Sequence, residues 1–146
     1  MSVTPHAIAA ASHLAAARIA QHLTVTPSRR IPWLSAHCDA DIWVKQEYLQ
    51  HTGSFKLRGA LNAVLSLSAD ARRNGVVSAS SGNHGAGVAY ACQIAGCRAT
   101  IFVPEHASPT KVAAMRRLGA DVRHVGTDSV VSEAAARAYA TEHDVP

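Results

Sequence analysis

Lysine is scarce in this 146-residue chain: Lys45, Lys56 and Lys111 are the only three. Lys45 falls beside Trp43 and Val44, and Lys111 falls in the first turn of a predicted helix, a common exposed place. Lys56 differs from both. It closes the segment Thr52-Gly53-Ser54-Phe55-Lys56, in which Ser54 can cap a helix, so the lysine stands at that helix's positive end. The field there disfavours an ammonium and favours the neutral, nucleophilic amine. Gly59, Ala60 and Ala63 share its helix face. All are small, and the space they leave could hold a cofactor ring. The other reading is a surface lysine with its stem laid over small residues.

A second candidate is Ser80-Ser81-Gly82-Asn83-His84-Gly85-Ala86-Gly87. It follows a predicted strand and opens a predicted helix, where backbone N–H groups point outward and bind anions. Ser81, Asn83 and His84 add side-chain donors. The spacing is not GxGxxG, and no acidic residue stands about twenty positions on to meet a ribose, so a dinucleotide site is not indicated. It is not GxxxxGK[ST] either. A turn that uses its glycines for geometry alone is the competing reading. No metal site is expected. There are nine histidines but no HExxH or HxxxH, and three cysteines but no CxxC. His13 and His22 read as exposed, Arg116-Arg117 as a solvated helix face, and Trp33 and Trp43 as core or interface residues. Cys92 and Cys97 flank a helix end and read as small hydrophobes.

These candidates need elements to position them. Thr4-Pro5 opens a helix that the Ala-rich stretch from Ala9 to Leu23 sustains. Thr26-Pro27 and Ile31-Pro32 should break regular structure. Asp41 to Lys45 predicts a strand, and the stretch from Ser54 to Ser68 a helix with Leu57, Leu61, Val64 and Leu65 on its buried face. A strand over Val76 to Ala79 follows, then the glycine turn, then a helix to Ala95 closed by Gly96. The rhythm continues with a strand from Ala99 to Val103, a helix from Ser108-Pro109 to Gly119, a strand from Asp121 to Val125 and a helix from Asp128 to Glu142. Short-looped alternation of this kind predicts parallel strands with right-handed crossovers, and the unbroken apolar run Ala99 to Val103 predicts a strand covered on both faces. Val145-Pro146 reads as the entry to another strand.

Composition sets the outer limits. Hydrophobic residues are 48% and charged residues 16%, a globular balance. No apolar run approaches the roughly 18 residues of a membrane span. The net charge of +4 is modest and does not by itself argue for nucleic acid. Unpaired cysteine usage fits a reducing cytoplasm. The acid-free, Arg-bearing start before Asp39 has the composition of a transit peptide, but it lacks a Ser-rich stretch and is read as an ordinary first helix.

Taken together, the two candidate segments resemble a known family. Lys45-Gln46-Glu47 and the run Gln50 to Ala60 are similar to the lysine segment of fold type II pyridoxal-phosphate enzymes, closest to threonine/serine dehydratases and serine racemases. Ser80 to Gly85 resembles their asparagine loop. Val103-Pro104-Glu105, Pro109 to Val112 and Leu118 to Val122 resemble segments that follow in the same order, so the likeness runs from residue 23 to 146.

The resemblance implies an open parallel α/β sheet with flanking helices, like that of the tryptophan synthase β chain, here incomplete. Residues 1–52 would be the N-terminal helix and the leading part of a larger domain, and 53–146 a small domain carrying both motifs. It implies pyridoxal 5'-phosphate as cofactor, with Lys56 forming the Schiff base and moving the α-proton, Phe55 beside the ring and Asn83 on the ring hydroxyl. Ser81, Asn83 and His84 would receive the substrate carboxylate. Ser81 would also serve as a second acid/base, as in racemases, where many threonine dehydratases have alanine.

The implied reaction turns threonine or serine into a 2-keto acid and ammonia. Serine racemase-like activity, or a non-catalytic fragment needing a complementing chain, is the alternative. The implied partners are a small amino acid and a second copy in a homodimer, with no nucleic acid or membrane. Family members are much longer, and their glycine-rich phosphate loop normally follows the segment matched here. The expectation is therefore a truncated, N-terminal half.

Overall fold

A computed structural model describes residues 4–146; the first three residues of the predicted 1–52 segment lie outside it. The chain runs α1 (Pro5–Ile19), a 3-10 turn (Ala20–His22), β1 (Ser28–Arg30), α2 (Pro32–Cys38), β2 (Trp43–Lys45) and a second 3-10 turn (Glu47–Leu49). It continues with α3 (Lys56–Ser66), the single turn α4 (Ala69–Arg72), β3 (Val76–Ala79), α5 (Asn83–Ala95), β4 (Ala99–Val103), α6 (Pro109–Arg117), β5 (Asp121–His124) and α7 (Ser129–His143).

The apolar run Ala99 to Val103 becomes the middle strand of a parallel sheet in the order β3-β4-β5, with Val76 opposite Ala99 and Thr100 opposite Asp121. All five residues of β4 are buried, as a strand covered on both faces must be. Consecutive side chains show which helices cover which face. The γ2 methyl of Ile101 lies 3.4 Å from where a Cβ on Gly85 of α5 would stand. The ring of Phe102 lies 5.6 Å from that of Tyr139 of α7, the two planes tilted by 55°. Neighbouring strand residues point to opposite faces, so α5 and α7 cover opposite sides. Met115 of α6 also reaches Gly85, which puts α6 beside α5.

The chain therefore steps outward from β3 to β5 under α5 and α6, then returns beneath α7. Its last residue reaches the free edge of β3, where the Val77 N–H donates to the Pro146 carbonyl at 2.8 Å. The direction of winding reverses at β3, and the carboxyl end of such a strand is where open α/β sheets form ligand crevices. The asparagine loop leaves β3 at that end.

The helix α3 packs on α5, not on the sheet. A Cβ on Gly87 would stand 3.2 Å from the Ala60 Cβ and 3.4 Å from the Leu57 backbone, so glycine lets the two helices approach closely. Leu57, Leu61, Ile101, Val103 and Met115 fill the resulting core with essentially no exposure. Each such side chain contributes about 1.5–3 kcal/mol by burial. Ile19 of α1 joins this core.

Several sequence expectations change. Ile31-Pro32 does not break the chain but opens α2, with Pro32 where the missing N–H costs nothing. The predicted strand over 41–45 is shorter and pairs antiparallel with β1, Ser28 opposite Lys45, so a small second sheet joins the parallel one. Helix α1 gives way to the 3-10 turn before Leu23. Trp33 and Trp43 are 71% and 59% exposed and are not core residues. His22 is half-buried. Among the described residues, no helix is long and apolar enough to cross a membrane.

Candidate active site

A tight turn delivers Lys56 to the start of α3. Gly53 takes a left-handed conformation (φ 70°) and donates to the Gln50 carbonyl at 2.8 Å. Gln50 is itself buried and gripped by the Thr24 backbone, whose N–H donates to its Oε1 at 3.1 Å and whose carbonyl accepts from its Nε2 at 2.6 Å. Ser54 is buried, and its Oγ accepts from the Lys56 N–H at 3.3 Å, one of the donors a helix start leaves without a partner. Ser54 was expected to cap the helix, but the cap position falls to Phe55, which makes no side-chain cap bond, and Ser54 stands one residue earlier.

The second delivery is made by β3 and α5. Gly82 caps α5 without any side-chain hydrogen bond, so the first N–H groups of the helix stay open to an anion. His84 is the second residue of this helix. The close α3–α5 approach at Gly87 brings the two helix starts together. Phe55, Lys56, Arg58, Gly59, Ala60 and His84 line one cavity of about 320 Å³. The Lys56 ammonium stands 5.1 Å from the Phe55 ring centroid. Partial burial first, and the Lys56 charge second, push His84 below the ordinary histidine range, which favours its neutral imidazole.

Lys56, Phe55 and His84 thus meet around one space, as do the small residues Gly59 and Ala60. Ser81 is half-buried on the loop and Asn83 is exposed at the first helical position; neither lines this cavity. Two site features escaped the sequence reading. Arg58 forms part of the cavity wall and is held by Glu47 through Nε to Oε2 at 2.8 Å and Nη2 to Oε1 at 2.7 Å. The Lys111 Nζ reaches within 3.9 Å of where a Cβ on Gly82 would stand, so a second cation hangs over the asparagine loop. The spacing Lys56-x-Arg58 and the segment Pro109 to Val112 were visible, but their convergence needs the folded chain.

The sequence matches the pyridoxal-phosphate dependent enzyme family over residues 19–145. The chain belongs to that family. Among curated relatives, the L-threonine ammonia-lyase of Thermotoga maritima is 51% identical over 89 residues, 61% of this chain and 22% of the relative. The L-threo-3-hydroxyaspartate ammonia-lyase of Saccharomyces cerevisiae is 37% identical over 126 residues, 86% of this chain and 39% of the relative. Maize serine racemase superposes with a TM-score of 0.85 at 31% identity, covering 91% of this chain and 40% of that one. The fold is that of a fold type II pyridoxal-phosphate enzyme, and the chain spans well under half the length of these relatives.

The residues fit the ring end of the family's cofactor. A Cβ added to Gly59 meets nothing within 4 Å, which leaves open space on the helix face of the lysine. The cavity lies at the lower end of the roughly 300–1,000 Å³ usual for small-molecule sites. The 146 residues contain no run of four glycines.

Proposed function

We propose that this chain supplies the lysine-bearing part of a pyridoxal-phosphate-dependent ammonia-lyase that turns a β-hydroxy amino acid, threonine or serine, into a 2-keto acid and ammonia. The observation that supports it is the meeting of Lys56, Phe55 and His84 around one cavity at the start of α5. In this reading residues 53–146 are the small domain and 1–52 lead into a larger one. The full-length form would work in the cytoplasm as a homodimer.

Pyridoxal phosphate, when bound, supplies an electron sink for the pair left at the substrate's α-carbon. Lys56 would hold it through Nζ, Phe55 would lie beside its ring, and Asn83 would meet its hydroxyl. The same Lys56 amine takes the α-proton. Ser81, Asn83 and His84, with the open N–H groups of α5, receive the substrate carboxylate. A neutral His84 can donate one hydrogen bond without adding a charge that would repel Lys56. Ser81, half-buried at the carboxyl end of β3, also favours a racemase reading, in which its hydroxyl handles the proton on the other face.

Borohydride trapping tests the assignment. The protein is mixed with pyridoxal phosphate and reduced, and the pyridoxyl group is mapped by mass spectrometry over the three lysines. The label is expected on Lys56 and lost in Lys56→Ala. Equal labelling of Lys45, Lys56 and Lys111 overturns it.

A further inference from the structure

The end of α5 brings two cysteines together. Gly96 turns left-handed (φ 65°), its N–H donates to the Gln93 carbonyl at 3.3 Å, and the Cys97 N–H donates to the Cys92 carbonyl at 3.0 Å. This paired pattern is the Schellman ending, in which the second residue past the helix packs on a residue of its last turn. Here both partners are cysteines. Both side chains pack in the core at this turn, and the backbone bond between Cys97 and Cys92 holds the two residues against each other. Cys92 is only 1% exposed, whereas Cys97 is half-buried and open to small reagents. Neither belongs to the cavity around Lys56.

We propose that Cys92 and Cys97 form a dithiol modification site that a peroxide closes into a disulfide across the end of α5. The accessible Cys97 sulfur attacks first. An S–O bond forms, the peroxide O–O bond breaks, and one oxygen leaves as water, giving a sulfenic acid on Cys97. The Cys92 sulfur then attacks the Cys97 sulfur. The S–S bond forms, the S–O bond breaks, and the second oxygen leaves as water. The two thiols together lose two electrons and two protons, and the peroxide takes both. Burial pushes the Cys92 thiol well above its usual range, which makes Cys92 the second reactant and not the first. The Schellman pairing offsets its weak nucleophilicity by keeping the two residues side by side across the turn. The disulfide would staple the turn that ends α5, the helix whose other end carries the asparagine loop.

The experiment uses Cys38→Ser protein, which removes the exposed third cysteine, treated with hydrogen peroxide in native buffer. Trypsin cuts after Arg73 and Arg98, so both sulfurs fall in one peptide. The expected result is complete loss of both free thiols, a peptide lighter by two hydrogens, and full recovery with a thiol reductant. A Cys97→Ser variant, in which only the buried sulfur remains, is expected to keep Cys92 free. Two thiols still free after treatment overturn the proposal. So does a Cys97 carried to sulfinic acid beside an unmodified Cys92, or a Cys92 oxidised in the Cys97→Ser protein.

Discussion

Glu47 is the most heavily engaged side chain near the site. It accepts two hydrogen bonds from Arg58 and one from the Thr26 hydroxyl, and its side chain is only 14% exposed. The Arg58 bonds outweigh burial and hold its carboxyl at about 2 against a usual 4.5. A depressed carboxylate stabilises the fold fully above its unfolded value and loses that contribution as pH falls through the folded one. Glu47→Gln should therefore cost about 2 kcal/mol at neutral pH, a figure discounted because Arg58 is partly in water. The gap to wild type should close between pH 4.5 and about 2. Urea unfolding of both proteins across that range checks it, and a gap independent of pH would refute it. Lys56 and His84 were legible as candidates because each sits at a helix start, a position that sequence marks locally, whereas Phe55 entered only through the resemblance to the family. Glu47 was not legible, because its partners lie 11 and 21 residues away and nothing local announces them.

The helices place the site through glycines more than through large residues. A Cβ on Gly85 would stand 2.6 Å from the Ser80 carbonyl and 2.6 Å from the Met115 sulfur. The sulfur can move, but the carbonyl belongs to the asparagine loop. Gly85→Ala should cost about 1–3 kcal/mol in urea unfolding and weaken pyridoxyl labelling of Lys56. Gly59→Ala should behave oppositely in stability. Its methyl meets nothing, and alanine gains about 0.5–1 kcal/mol over glycine inside a helix. Yet the methyl enters the cavity wall, so labelling should fall while the midpoint rises. A stable Gly59→Ala protein with undiminished labelling would show that the cavity is not where the cofactor ring sits. Apart from the single turn α4, which the sequence reading passed over, the strands and helices from residue 54 onward were readable because apolar period and helix-end signals agree there: Asp128 caps α7, and Gly96 ends α5. The stretch between α1 and β2 was not. Strand β1 is Ser-Arg-Arg, short, polar and wholly exposed, with no alternation to read. Pro32 was ambiguous in isolation, since proline both stops helices and starts them.

Across the whole molecule, order should grade from the buried sheet outward. Strand β4 is covered on both faces and paired on both edges, whereas every residue of β1 and β2 is exposed. Amide hydrogen exchange should be slowest at Ile101 to Val103 and fastest at Ser28 to Arg30 and Trp43 to Lys45. Equal protection of the two sheets would contradict this gradient. The winding reversal at β3 was not readable as such, since it depends on Pro146 meeting Val77. The chain's two tryptophans, Trp33 at the start of α2 and Trp43 on β2, both stand largely in water. Their emission should already resemble that of free indole, and unfolding should barely change its colour. A blue shift would instead announce that something has come to rest on these rings, which makes this chain its own optical reporter of being covered.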